Sequence, residues 1–146
     1  MMTDAVVKPP RWYWVVAVAL MLWALAGLAA FYSEATMTAD AVAAMPDYDR
    51  KLYQSLPGWF NIVYAVATIG GATGALALLL RARIAAALYA LSTAAVVVQF
   101  GYVVGLTDLV AVKGFVGGAA FPLFIVVMGV VAFLVARMAA ARGWLR

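Results

Sequence analysis

Four long runs of uncharged, apolar residues constrain this chain more than any other feature. They cover residues 12–32, 59–80, 84–106 and 115–136, and none of them contains Asp, Glu, Lys or Arg. A bilayer core about 30 Å thick is crossed by a helix of about 20 such residues. The short breaks after the second and third runs force neighbouring helices to run in opposite directions. The sequence therefore predicts an all-α membrane protein, a four-transmembrane-helix antiparallel bundle that forms one domain over residues 1–146.

Composition supports the same conclusion. The chain is 68% hydrophobic and 11% charged, whereas soluble domains are about 45–50% apolar and about 25% charged. So much apolar surface needs membrane lipids as its partner. The first apolar run is longer than the roughly 7–15 residues of a signal peptide, so an uncleaved anchor is favoured over a cleaved leader.

Basic residues predict the orientation of the bundle. Cytoplasmic ends of spans are rich in Lys and Arg, and seven basic residues fall on one side of the predicted bundle against three on the other. The larger group is Lys8, Arg11, Arg81, Arg83, Arg137, Arg142 and Arg146. The smaller group is Arg50, Lys51 and Lys113. We therefore expect both termini in the cytoplasm and, for a bacterial protein, a multi-pass location in the inner membrane.

The outer loop, residues 33–58, is the one sizeable polar segment. Thr38 can cap a short helix, and Asp47 or Asp49 can open a second one, because side-chain oxygens and negative charge favour helix N-termini. In that second helix Tyr48, Leu52 and Leu56 recur every four residues, which predicts a short amphipathic helix. A connector that covers the mouth of the bundle is favoured over a lid for a substrate or receptor.

Three glycines lie in the second span, within ATIGGATGALALLLRAR. They could form a phosphate-binding loop or a face for helix packing. A phosphate-binding loop needs a preceding strand and commonly a following Lys, and neither is present. Gly70 and Gly74 form GxxxG and share a small-residue face with Gly71, a pattern that lets helices pack closely in lipid. Gly117, Gly118 and Gly129 form a looser counterpart in the predicted fourth span. Whether the partner of this face is the same chain or a second protein stays open, with self-packing favoured.

Polar residues within the spans suggest a pocket in the outer half. Asn61, Tyr64 and Thr68 share one face of the second helix, and Gln99 and Tyr102 share one face of the third. Because the two helices are antiparallel, both sets lie at similar depth. Trp23 and Glu34 are candidate walls, and the outer loop a candidate roof. A role in which these groups simply bond neighbouring helices is favoured over a pocket.

Catalytic chemistry finds little support in the sequence. The chain has no Cys and no His, no nucleophile beside a base and no metal-ligand spacing, so no catalytic residue, metal or cofactor is expected and the protein is not expected to be an enzyme. Proton-driven transport normally needs an ionisable group within the membrane, and the four runs have none. No basic run interleaved with aromatics is present, so no nucleic-acid partner is expected.

Several segments resemble a group of uncharacterised small bacterial inner-membrane proteins with four spans, some of which are automatically labelled "sugar transporter". The resemblance is carried by PPRWYWVVAVALMLWALAG, MTADAVAAMP, LYQSLPGW, AVATIGGATGALALLLR, VVVQFGY and RGWL. The group's pattern has WN where this chain has Trp23-Ala24, so an amide is missing here. The resemblance implies fold and topology. Small sugar carriers with three-span repeats have a Pro-Gln pair, and this chain has none.

Two functions are consistent with these patterns. The glycine-rich spans and the lack of reactive groups favour a packing or accessory role in a homo-oligomer or a larger membrane complex. The polar residues of the outer half support an alternative, a small transporter or binder of a neutral or lipid-like molecule.

Overall fold

Four long apolar helices dominate the computed structural model, which describes residues 7–146. They are α1 (Arg11–Ala35), α4 (Trp59–Leu79), α5 (Ala85–Leu106) and α7 (Ala120–Ala141), and each is long and apolar enough to cross a membrane. The short helices α2 (Ala39–Ala43), α3 (Asp47–Ser55) and α6 (Leu109–Gly118) connect them. The prediction of an all-α, four-span membrane bundle is confirmed. Residues 1–6 of the predicted domain lie outside the described part of the chain.

The fourth span differs from its predicted bounds. It was expected over residues 115–136, but α7 begins and ends five residues later, at Ala120 and Ala141. The apolar sequence runs on without a visible boundary. Gly114, with a φ of 74°, kinks α6, and the break between α6 and α7 comes at Ala119, with a φ of −119°. Pro122, which a span starting at residue 115 would place inside the helix, instead lies in the first turn of α7, where its missing N–H is harmless.

The spans pack in the order α1, α4, α5, α7, each against the next. The ends of the bundle differ. We call the end formed by residues 7–11, 80–84 and 137–146 the terminal face, and the end formed by residues 36–58 and 107–119 the loop face. A core cluster in the half towards the terminal face draws residues from all four spans. A second cluster, in the half towards the loop face, draws residues from α4, α5 and α7.

The terminal face is held by hydrogen bonds to chain segments that flank the spans. Arg81, in the turn after α4, has a positive φ of 59°. Its Nε donates to the carbonyl oxygen of Trp144 at 2.7 Å, and its guanidinium donates to the carbonyl oxygen of Val7 at 3.0 Å. The Trp144 ring is buried and packs edge-on against Trp12 and Tyr13. The α4–α5 turn is thereby fixed to both ends of the described chain.

The glycine face of α4 packs against α5 of the same chain. A Cβ added at Gly70 would lie 3.2 Å from the Cβ of Ser92, and one added at Gly74 would lie 3.2 Å from the Tyr89 ring. The hydroxyl of Ser92 donates to the carbonyl oxygen of Ala67 at 2.6 Å, so a hydrogen bond joins the two helices where their backbones are closest. A Cβ added at Gly71 would lie 3.3 Å from the same hydroxyl oxygen.

The other predicted packing glycines have separate environments. Gly129 in α7 lies against Thr93 of α5, where an added Cβ would be 2.8 Å from the hydroxyl oxygen. Gly117 and Gly118 belong to α6 and not to the fourth span as predicted. Gly118 packs on the backbone of Leu109 and Val110 within α6, and Gly117 is exposed. Of the glycines expected in the fourth span, Gly129 alone joins two membrane-spanning helices.

Side chains join α3 to α6 at the loop face. The hydroxyl of Tyr48 donates to a carboxylate oxygen of Asp108 at 2.8 Å, and Lys113 forms an ion pair with Asp49. The hydroxyl of Thr38 caps α2 by accepting from the backbone N–H of Ala41 at 3.2 Å. The segment between α1 and α4 is therefore a structured connector, anchored to the start of α6.

Tyr48 should titrate at unusually high pH. Partial desolvation, followed by the hydrogen bond and the negative charge of Asp108, raises the pKa of Tyr48 to about 12 from 10.0. A pKa raised in the folded state stabilises the fold below pH 10.0, and this contribution is lost as the pH rises through about 12. We expect Asp108→Asn to move the Tyr48 midpoint down towards 10.0 in a phenolate absorbance titration, with Tyr48→Phe as the blank. Asp40→Asn is the control, and an unchanged midpoint in Asp108→Asn would contradict the assignment.

Candidate functional site

A cavity of about 230 Å³ lies between the four spans, in the middle of the bundle and the half towards the loop face. All four spans contribute to its wall, and most of the wall is apolar. Its lining residues are Leu20, Trp23, Ala24, Ala26, Gly27, Ala30, Tyr64, Ala67, Thr68, Gly71, Tyr89, Ser92, Val96, Gln99, Phe100, Phe121, Ile125, Met128, Gly129 and Ala132. The cavity exists because α1 packs with the other three spans near the terminal face but does not join their core near the loop face.

One face of α5 forms the back of the cavity. Tyr89, Ser92, Val96 and Gln99 lie at positions i, i+3, i+7 and i+10, which share one side of a helix. All four are buried. Small residues on α1 and α4 stand opposite, including Gly27 and Ala67. Large side chains on α5 and small ones across from it leave the space open.

Two polar side chains on the wall are already hydrogen-bonded. The Ser92 hydroxyl donates to Ala67, as described above. The Thr68 hydroxyl donates to the carbonyl oxygen of Tyr64 at 3.0 Å, within its own helix, a bond that serine and threonine commonly make when they face apolar surroundings. These two residues therefore have little left to offer a ligand as donors.

Gln99 differs from these two residues. Its side chain is 3% exposed, it lines the cavity, and its amide has no hydrogen-bond partner among residues 7–146. Unlike the fully enclosed hydroxyls of Tyr89 and Thr93, this amide is accessible from the cavity. An amide both donates and accepts, so a molecule in the cavity that carries a hydroxyl, carbonyl or amide could hydrogen-bond to it.

Tyr64 is the nearest companion of Gln99 in depth. Tyr64 lies five residues from the loop end of α4, and Gln99 lies seven residues from the loop end of α5, so their depths differ by about 3 Å at 1.5 Å per residue. The Tyr64 ring packs against Phe31 of α1, with centroids 5.1 Å apart. The polar end of the cavity is thus the end towards the loop face, while its remainder is apolar.

Two further buried oxygens lack partners in the described part of the chain, the hydroxyls of Tyr89 and Thr93. The Tyr89 ring is packed on Gly74, and Thr93 is packed on Gly129. Both groups are held within the helix interfaces by these contacts. Neither hydroxyl reaches open space, so neither contributes a binding group to the cavity.

No charged side chain lines this cavity in the described residues. An ionised ligand would therefore lose its hydration without gaining a counter-charge, which costs several kcal/mol in an apolar environment. A neutral molecule avoids that cost. Such a wall fits an uncharged, mostly apolar molecule with a hydrogen-bonding group near one end better than it fits an ion.

The structure gathers part of the pocket predicted from the sequence. Trp23, Tyr64, Thr68 and Gln99 all line the cavity. Three of the predicted residues lie elsewhere, namely Asn61, Tyr102 and Glu34. Asn61 is exposed, Tyr102 packs edge-on against Trp59 with ring centroids 5.3 Å apart, and Glu34 lies at the loop end of α1.

The sequence suggests the outer loop as a roof over the pocket, but the structure places this loop elsewhere. No residue of the connector at 36–58 belongs to the cavity wall. The connector packs towards α6, through Tyr48 and Asp49, instead of folding over the space between the spans. The physical reason is electrostatic, because its charged and hydroxyl groups find partners at Asp108 and Lys113.

Sequence reasoning missed the apolar and small residues that make up most of the wall. The i, i+3, i+7, i+10 spacing of Tyr89, Ser92, Val96 and Gln99 could have placed Tyr89 and Ser92 beside Gln99. No sequence signal distinguishes the wall residues of α7, such as Ile125 and Met128, from lipid-facing ones. All the faces of that helix are apolar.

Comparisons of the chain with protein-family models, with curated proteins and with solved structures found no match.

Proposed function

We propose that this protein binds a small, neutral and mostly apolar molecule in the cavity between its four spans, as a binder or a small transporter of such a molecule. The observation that carries the proposal is Gln99, a buried amide that faces the cavity with no hydrogen-bond partner in residues 7–146. A ligand with a hydroxyl, carbonyl or amide group would give this amide the hydrogen bond that the described residues do not supply.

The size of the cavity limits the ligand. An engineered cavity of about 150 Å³ holds benzene. By proportion, 230 Å³ suits a molecule, or the buried part of one, of roughly nine non-hydrogen atoms. The polar wall groups lie towards the loop face, so the hydrogen-bonding end of the ligand would lie there and its apolar part at mid-membrane depth.

An accessory role in a larger assembly has less support. This role is suggested by the glycine face of α4, but that face packs on Ser92 and Tyr89 of the same chain. A surface used within the monomer is not free to recruit a second protein. Membrane lipids remain the partners that the exposed apolar helices require.

A bacterial inner-membrane location with cytoplasmic termini completes the proposal. The support is the excess of basic residues at the terminal face, seven against three at the loop face, since Lys and Arg are enriched at cytoplasmic ends. A fluorescent protein that matures only in the cytoplasm, fused after Arg146, should be fluorescent in cells. A fusion that is dark but active with a periplasmic reporter would reverse the orientation.

Replacing the Gln99 amide tests the binding function. The probes are 4-bromophenol, uncharged at neutral pH, and bromobenzene, which lacks the hydroxyl; both quench tryptophan, and Trp23 on the cavity wall reports binding. Affinities are measured in vesicles and calculated from the concentration of each probe in the bilayer. We expect the native chain to bind 4-bromophenol more tightly than bromobenzene. Gln99→Leu should lose that preference by about 2- to 10-fold, because one hydrogen bond contributes about 0.5–1.5 kcal/mol.

The control for this test is Gln54→Leu, which removes an exposed amide from α3. It should keep the native preference. Trp23→Phe supplies the background from the other tryptophans. Equal binding of both probes by the native chain, or an unchanged preference in Gln99→Leu, would contradict a role for this amide in binding.

A further inference from the structure

We propose that the ligand enters the cavity sideways from the bilayer, between α1 and α7, and not from water at either end of the bundle. This inference rests on the proposed binding function and deepens it. It defines the ligand as a molecule that is already dissolved in the membrane, a neutral amphiphile with one hydrogen-bonding group.

Aromatic side chains close the side of the cavity towards the loop face. Phe31 of α1 packs against Tyr64 of α4, with ring centroids 5.1 Å apart. On α4 and α5, Trp59 packs edge-on against Tyr102 at 5.3 Å. Tyr102 lies almost one turn nearer the loop face than Gln99. No residue of the loop face lines the cavity, so these rings separate it from water on that side.

The opposite side, towards the terminal face, is closed by tight packing. Ala17 of α1, Ala75 of α4, Ala85 of α5 and Ala136 of α7 are all fully buried there, in one core cluster. Small side chains let the four helices approach closely. Within residues 7–146, this packing closes the end of the cavity towards the terminal face.

The remaining side lies between α1 and α7, and the structure is open there. Trp23, Ala26 and Ala30 form a stripe on α1 at spacings of three and four residues; they line the cavity and are also exposed. Phe121 of α7 lines the cavity from the other side and is 65% exposed. Residues that both line a cavity and face outwards mark its mouth. In a bilayer, this mouth opens to lipid.

The packing of the spans explains why the opening lies there. The core cluster of the half towards the loop face contains residues of α4, α5 and α7 and none of α1. Trp23 and Phe124 bridge α1 and α7, edge to face, with centroids 5.5 Å apart. Both rings are more than a third exposed. A single aromatic pair without further core packing can separate at little cost, so it can act as a gate.

A reversible cross-link across the mouth tests the route. The chain has no cysteine, so Ala26→Cys with Phe121→Cys introduces two unique thiols, both at exposed positions. A short bis-methanethiosulfonate joins them in detergent before reconstitution into phosphatidylcholine vesicles, and dithiothreitol later releases the link. The probe is 4-bromophenol, and the readout is the rate of Trp23 quenching by stopped flow.

We expect quenching at least ten times slower in the cross-linked double variant than in the same variant after reduction, which releases the link. Equal rates before and after reduction would overturn lateral entry while leaving the binding function intact. If the reduced double variant and the native chain show no saturable quenching of Trp23, the binding function itself fails, and the entry route with it. Each single-cysteine variant treated with the same reagent controls for modification alone.

Discussion

Gly74→Leu should destabilise the bundle more than any other single change proposed for this chain. A Cβ at this position would lie 3.2 Å from the Tyr89 ring, and the rest of a leucine side chain would have to push α4 away from α5. Overpacking of this kind costs about 3 kcal/mol at the upper end, and the better helix propensity of leucine returns about 1 kcal/mol. We expect the free energy of unfolding to fall by about 2 kcal/mol in a detergent titration followed by circular dichroism.

Gly101→Leu is the matched control. Gly101 lies in α5, another spanning helix, and an added Cβ there would meet nothing within 4 Å. This variant should be neutral or slightly more stable, because it gains helix propensity without a clash. If Gly74→Leu and Gly101→Leu have the same stability, the close contact between α4 and α5 does not hold the fold together.

The same pair of variants separates two uses of the glycine face. If Gly74 packs within the monomer, Gly74→Leu lowers stability in dilute and concentrated samples alike. If it served an assembly, its effect would depend on protein concentration, because association follows mass action. Native mass spectrometry in lipid discs measures the stoichiometry directly. If Gly74 packs within the monomer, Gly74→Leu should leave that stoichiometry unchanged.

How far the sequence predicts this fold can be judged from particular elements. The first three spans match their predicted bounds within three residues, because charged residues or a turn mark their ends. The start of the fourth was wrong by five residues, because the break at Ala119 lies within FVGGAAF, which is apolar throughout. Hydropathy identifies membrane-spanning segments well, but it does not show where a helix begins or ends when the flanking residues are also apolar.

The candidate site was predictable only where polarity marks it. Tyr64, Thr68 and Gln99 stand out as polar residues in apolar helices, and all three line the cavity. Asn61 carries the same signal and shares their face of α4, but it lies in the first turn of α4, near the loop face, and is exposed. The order α1, α4, α5, α7 determines which faces meet, and helix periodicity carries no information on that order.

Gly27→Leu should raise stability and abolish binding together. An added Cβ at Gly27 would lie 3.8 Å from the Thr68 methyl group, an ordinary contact, and the remaining side chain would extend into the cavity that Gly27 lines. Leucine is favoured over glycine in a helix by about 1 kcal/mol, so we expect the free energy of unfolding to rise by about that amount.

Binding should fall at least tenfold in the same variant. The four carbons of a leucine side chain fill about 100 Å³ on the scale set by benzene in its cavity, which leaves roughly half of the 230 Å³. The measurement is Trp23 quenching by 4-bromophenol at equilibrium, with Gly101→Leu as the control. Gly101 does not line the cavity, so its variant should match the stability gain and keep the native affinity.

A damaged fold would lower both the stability and the affinity of Gly27→Leu. A rise in stability together with a loss of affinity therefore indicates that the cavity has been filled. A cavity kept open by a glycine, at a cost to stability, is typical of a functional site. If Gly27→Leu binds 4-bromophenol as tightly as Gly101→Leu, the probe occupies some other site and the cavity is only a packing defect. If it becomes less stable, α1 lies closer to α4 than the 3.8 Å contact indicates.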